Sequence, residues 1–333
     1  MHGNIQKGVR FGAALALALA LCATAALAAE TGGKHLVPVG HTVGVKLFSR
    51  GVVVVKLPEG STPARTCGLK TGDVIEACGG RTVTSTEQFQ SLLQENGTDT
   101  TELSVKRQGS PVTLSVEPER NEEGACCIGA WVRDSMAGIG TVTYYDPDSN
   151  TFGALGHGIT DGDTAALMPF GNGAILPSTV KAVKKGSCGS AGELRGEFDL
   201  TEELGQLYAN TGCGIFGTLN AACSLAEGEA LPVGDAAEGP AVIRSNISGD
   251  EVQEYAVEIL KTIPDAPDGR ELVISVTDPE LIAATGGIVQ GMSGSPILQN
   301  GQLVGAVTHV LLSDPTKGYG ISVETMLNTG AMT

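Results

Sequence analysis

The chain has 333 residues, 41% of them apolar, which is enough for two domains with real cores and excludes a disordered chain. Asp and Glu number 37 against 21 Lys and Arg, a formal net charge of −16. A surface of that sign repels phosphate backbones and anionic headgroups, so nucleic acid is excluded as a partner.

Residues 1–29 read as an export leader: Lys7 and Arg10 form a basic start, 11–29 are uncharged, and Ala26-Leu27-Ala28 offers a small-x-small cleavage site. The uncharged run is about as long as the roughly 17 to 20 residues a membrane span needs, so the leader is expected as either a cleaved signal or a retained anchor. Cys22 follows Leu21, where lipid attachment would need a small residue, and lipidation is not expected. Seven cysteines follow the leader, namely Cys67, Cys78, Cys126, Cys127, Cys188, Cys213 and Cys223. An odd count leaves a thiol over, and with no C-x-x-C pair no zinc site, metal or cofactor is expected. Small buried thiols with at most one bridge are the expectation.

A short linker, 30–37, precedes a segment at 38–118 with strand-like runs GVVVVKL (51–57), ELSVK (102–106) and PVTLSVEP (111–118). Two helix signals lie among them. Ser61-Thr62-Pro63 opens a short helix that Gly68 closes. Thr84-Ser85-Thr86-Glu87 is a capping box, Phe89, Leu92 and Leu93 share one helical face, and Asn96-Gly97 stops the run. Between the helices, GLKTGDVIEACGGRTV reads as turn, strand, turn, strand. With the GLKTGDVI stretch and its GG turn, this segment resembles a bacterial PDZ domain. The resemblance implies a groove in which the C-terminal peptide of a partner adds as a strand, its carboxylate held by the backbone near Val43, Gly44 and Val45.

A polar joint at 119–125 leads to a Gly-rich segment, 126–333, of short β-branched runs: IGTVTYY, FGALGHGI, LVISV and LVGAVTHVLL. DPDSN at 146–150 reads as a hairpin turn. Many short strands with frequent turns point to a barrel or a sandwich.

GMSGSPI at 291–297 supplies a tight bend within apolar strand sequence. A serine hydroxyl is a poor nucleophile until a base takes its proton and donors stabilise the oxyanion. Gly291 lets the N–H groups of Gly291 and Ser293 converge on one point, and Gly294 is expected to leave room for a substrate. For the base, His2 lies in the leader and His35 and His41 border the PDZ-like segment, which leaves His157 in LGHGIT and His309 in GAVTHVLL. His157, between glycines at a strand end, is preferred; His309 sits inside an apolar run and is assigned to the pocket wall. For an orienting carboxylate, Asp278 in ISVTDPE, Asp161 and Asp163 all stand open, and Asp278 before Pro279 also reads as a turn-former.

WVRDSMAGIGTVTYYDPDSNTFGALGHGITD at 131–161 and TGGIVQGMSGSPILQNGQLVGAVTHVLLSDPTKGYGI at 285–321 closely resemble the stage IV sporulation protein B family of serine peptidases. That resemblance implies a mainly β chain with some α, a PDZ domain followed by a chymotrypsin-like double β-barrel, with Ser293 as nucleophile, His157 as base and Asp278 as third member. It also implies self-cleavage near the N-terminus and cleavage of a membrane-tethered regulatory protein, in the space between the membranes of a developing spore. Met292 stands before Ser293 where digestive relatives carry Asp, so no buried pair with a freed N-terminus is expected. Two other readings compete. An exported PDZ-type scaffold would carry an inert peptidase fold, and a cysteine peptidase would use Cys188 or Cys213. The lysines of KKGSCGSAGE precede its glycines, so nucleotide binding is rejected.

Overall fold

Two strands belong both to the PDZ-like sheet and to the barrel that follows it. The computed structural model describes residues 33–220 and 223–332; the leader, with Cys22 and its cleavage candidate, lies outside them. Strand β1 (His35–Pro38) is followed by β2 (Thr42–Lys56), helix α1 (Pro63–Thr66), β3 (Val74–Cys78), β4 (Arg81–Thr82), helix α2 (Thr86–Asn96), β5 (Thr101–Arg107) and β6 (Ser110–Val116). Next come β7 (Glu119–Arg120), β8 (Cys126–Cys127), β9 (Trp131–Asp146), β10 (Thr151–Ala154), β11 (Phe170–Lys184), β12 (Glu193–Phe198), β13 (Gly205–Thr211) and β14 (Gly214–Leu219).

The far half of β2 starts the PDZ-like sheet: Val52 and Val53 pair with β3, β3 pairs with β5, and β5 with β6. Val52, Ile75, Leu103 and the α2 residues Phe89, Leu92 and Leu93 form its core, as the spacing on α2 predicts. The cap of α2 is one residue later than expected: Ser85 accepts from Gln88 N–H, while the Gln88 side chain accepts from Thr84 N–H. A glutamine reaches back as well as a glutamate does, and only the register of the box moves. The α1 cap is Thr62, with Pro63 in the first turn, and the chain passes through Gly68 at φ +87°.

The near half of β2 belongs to the first barrel. Strands β9, β10, β14, β13, β11 and β2 pair in that order, and β2 pairs back to β9, so six strands close a ring. This corrects the expectation for Val43, Gly44 and Val45. Val43 lies between Gly140 of β9 and Pro177 of β11, Gly44 between Ile139 and Leu176, and Val45 between Gly138 and Ile175. With both edges taken and all three residues buried, no backbone N–H there is left for a peptide carboxylate. Gly44 has a packing reason, because a Cβ would sit 2.6 Å from the Phe198 ring.

The second barrel follows β15 (Leu231–Pro232). It closes β16 (Gly239–Ser245), β17 (Gln253–Thr262), β18 (Leu272–Val276), β21 (Lys317–Ser322), β20 (Gln302–Val310) and β19 (Pro296–Gln299) in that order. Alternate inward residues, among them Ile243, Val257, Ile274, Ile297 and Val304, fill it. Helix α3 (Pro279–Thr285) precedes the Ser293 loop, and α4 (Val323–Ala331) ends the chain's described part. The expected double β-barrel is what the chain forms. DPDSN makes the β9–β10 turn, with Asn150 at φ +55°. The polar joint at 119–125 is a small hairpin, β7 on β8. The described residues from Leu36 onward form one compact unit.

Candidate active site

Ser293 and His157 arrive from different barrels at one cavity of about 930 Å³, also lined by Ile139, Leu155, Val289 and His309. His157 is delivered by a turn too tight for extended chain. Strand β10 stops at Ala154, Leu155 and Gly156 take φ values of +69° and +68°, and Gly156 N–H donates to Ala154 O at 2.9 Å. A left-handed leucine is costly, and Leu155 N–H is held by Thr141 O at 3.1 Å. At Gly156 a Cβ would meet the Thr308 methyl at 2.8 Å, so the turn packs directly on β20.

The half-buried His157 ring places Nδ1 2.9 Å from the carbonyl oxygen of Gly158. A carbonyl only accepts, so Nδ1 carries the proton and the Nε2 lone pair is left for chemistry. Burial pushes the imidazole below its ordinary pKa, and the Gly158 bond acts in the opposite direction. The neutral form, which a base needs, is therefore favoured near pH 7.

The Ser293 loop is wired from both sides. Leu194 N–H donates to Gln290 O at 2.8 Å and Ser295 N–H to Met292 O at 3.0 Å. Each fixes a planar peptide whose N–H, that of Gly291 or of Ser293, points the opposite way. Neither of those N–H groups has a partner among the described residues. The carbonyls of the same two residues are held by a single threonine: Thr141 Oγ1 donates to Gly291 O at 2.7 Å, and Thr141 N–H to Ser293 O at 2.9 Å. The glycines permit this. Gly291 sits at φ +100° and Gly294 at φ +96°. A Cβ on Gly294 would lie 2.0 Å from Thr141 O, so this glycine makes room for β9, not for a substrate as its sequence context suggests. The Ser293 hydroxyl donates to Thr308 O at 2.8 Å.

His309 follows Thr308 on β20, and its ring centre is 5.0 Å from that of His157 at a 40° tilt. The surrounding protein, then His157, then Arg270 push its pKa down, while Asp268 opposes them.

Asp278 does not join the group. It is the N-cap of α3, taking the N–H groups of Glu280 at 2.9 Å and Leu281 at 3.0 Å on one oxygen and that of Ala256 at 3.3 Å on the other. The Asp-Pro signal was that of a helix start. Asp161 is likewise occupied by backbone N–H groups and Arg133. The position expected for a carboxylate at Nδ1 is filled by the Gly158 carbonyl. All seven described thiols are unpaired, and neither Cys188 nor Cys213 lines the cavity. Thr141, Thr308 and the Gly158 carbonyl were not found from sequence, because two of the three act through backbone atoms and the third, Thr141, is brought to the loop from about 150 positions away only by the fold.

Residues 124–327 match the family model described as SpoIVB peptidase S55. The chain belongs to the SpoIVB peptidase S55 family. Residues 39–117 of this S55 family member match the PDZ domain model. Among curated proteins it is similar to serine protease HTRA1 of Xenopus tropicalis, 35% identical over 74 residues, which is 22% of this chain and 15% of that protein. HTRA1 of Xenopus laevis is 34% identical over the same length. The chain therefore spans about 15% of the length of those relatives. Among solved structures, the PDZ domain of an SdrC-like protein from Listeria monocytogenes is 21% identical, with 25% of this chain and 87% of that one covered and a TM-score of 0.23. The Rv3671c protease from M. tuberculosis in its active form is 15% identical, with 60% and 74% covered and a TM-score of 0.32.

Proposed function

We propose that this S55 peptidase is an exported endopeptidase in which Ser293 attacks and His157 is the base. It cuts itself near its N-terminus and cuts a membrane-tethered regulatory protein in the space between the membranes of a developing spore. The observation that carries the reading is the convergence, in one cavity, of a serine hydroxyl, an imidazole with its Nε2 lone pair free and two N–H groups without partners. Family membership supports the sporulation setting.

Turnover starts with Ser293 Oγ leaving Thr308 O, a bond worth about 1 kcal/mol net. As Oγ bonds to the scissile carbonyl carbon, its proton passes to His157 Nε2, and the Gly291 and Ser293 N–H groups receive the oxyanion. Each such donor is worth about 2.7 to 4 kcal/mol. The C–N bond breaks, the amine leaves with the proton from Nε2, and water, deprotonated in turn by His157, releases the acyl group. Throughout, the Gly158 carbonyl holds Nδ1–H.

A second reading, an exported scaffold with a silent peptidase fold, draws on the Ser293–Thr308 bond and the absence of a carboxylate from the His157 bonds of the described residues. Ser293→Ala separates the two. Followed by mass spectrometry of self-cleavage points, with a serine-directed phosphonate as probe, the wild-type chain should be labelled at Ser293 and processed. The alanine form should do neither, whereas identical behaviour of both would establish the scaffold.

A further inference from the structure

We infer that His157 and His309 together form a two-imidazole seat for a divalent cation of zinc's class, reversible and inhibitory. The spacing is the first argument. A zinc–nitrogen bond is about 2.0–2.1 Å and the nitrogen lies a little over 1 Å from its ring centre, so two imidazoles on one tetrahedral ion have centres about 5 Å apart. The two rings here are 5.0 Å apart.

The second argument is the support behind the ligand. A metal-bound histidine usually donates its other N–H to a carbonyl or carboxylate, which fixes the tautomer that coordinates. His157 Nδ1 already does this at Gly158 O. The His309 ring has no hydrogen bond among the described residues and stands open at the cavity wall, so its nitrogens are available. Water completes the shell, and among the described residues no group of three or more His, Cys, Asp or Glu offers a competing cage. Two nitrogens select zinc, copper or cobalt over magnesium and calcium, which require oxygen. With Asp268 and Arg270 of opposite charge at the same wall, local charge does little for affinity. Inhibition follows because the ion takes the lone pair of the base; that consequence rests on the peptidase reading, but binding does not.

Isothermal titration of the full-length Ser293→Ala protein with Zn²⁺, and separately with Mg²⁺, tests the seat without turnover. One zinc per chain should bind and Mg²⁺ should not, with zinc affinity falling at least about tenfold in both His157→Gln and His309→Gln forms. Co²⁺ bound in place of zinc should show a tetrahedral visible spectrum without thiolate-to-cobalt charge transfer, which distinguishes the pair from the eight cysteines of the full chain. Zinc affinity unchanged in His309→Gln, a thiolate band, or no binding would each overturn the seat. A peptidase that proves inactive would sink the proposed function and leave this isotherm as it is.

Discussion

At Nδ1 of His157 a backbone carbonyl performs the orienting task that a triad gives to a carboxylate. It selects the same tautomer but offers only a partial charge to the imidazolium. Asp278, meanwhile, satisfies two backbone N–H groups at the start of α3 and that of Ala256 on β17. Asn caps helices about as well as Asp, so Asp278→Asn should keep kcat/KM within about tenfold, and Asp278→Ala should lower stability by about 1 kcal/mol. A loss near 10⁴ in the Asn form, the size seen when a triad carboxylate is replaced, would return Asp278 to the proton relay. The depressed pKa of His157 makes a further prediction. The base is the neutral ring, so kcat/KM should stay level from neutral pH down past 6.5 and reach its half-value below that ordinary histidine pKa. Stability follows the same sign. Below about 6.5 the unfolded chain takes up the proton first, so the fold loses stability as pH falls from there through the lower folded-state value. A half-value above 6.5 would refute both statements. The Ser293 loop was legible because its glycine spacing is local, and His157 because so few histidines remain outside the leader. Gly158 O and Thr308 O were not, since every residue owns a carbonyl and only the fold aims one.

Strand β9 shows what a single element can hold in place. Its Ile139 lines the cavity and its Thr141 holds two carbonyls of the Ser293 loop. Thr141→Val keeps the shape and the backbone bond but removes the hydroxyl donor, leaving Gly291 O unmatched in a buried site at a cost of about 1–3 kcal/mol. Steady-state kinetics should show kcat reduced by about tenfold or more with KM little changed, because the oxyanion donors are used in the transition state. An unchanged kcat would mean that Leu194 and Ser295 alone set the loop. Elements with local signals were readable: α2 from its cap and its apolar face, the β9–β10 turn from DPDSN, β3 and β4 from the turn between them. The role of Val43–Val45 was not, because strand sequence does not say which neighbours will take its two edges.

For the molecule as a whole, the boundary between modules runs along strands instead of through a linker. Residues 42–49 close the first barrel and 52–56 join the PDZ-like sheet, within the one strand β2. A chain that begins at residue 119 therefore lacks one wall of its first barrel and leaves β9 and β11 with bare edges. It should give no cooperative unfolding transition by calorimetry and no peptidase activity, although it carries Ser293 and His157; a folded, active product would show that β2 is dispensable. The family resemblance treats the two modules as successive, a habit that sequence order encourages, whereas β2 pairs into both.

β9 completes the exchange from the other side. Before it reaches the cavity, its Asp134 accepts from Thr86 N–H at the head of α2, and Gln90 and Gln94 of that helix grip the Cys126 carbonyl just upstream. A single rigid spar thus runs from the helix to the nucleophile's bend, and neither half of this enzyme can be transplanted into another chain like a bead lifted from a string.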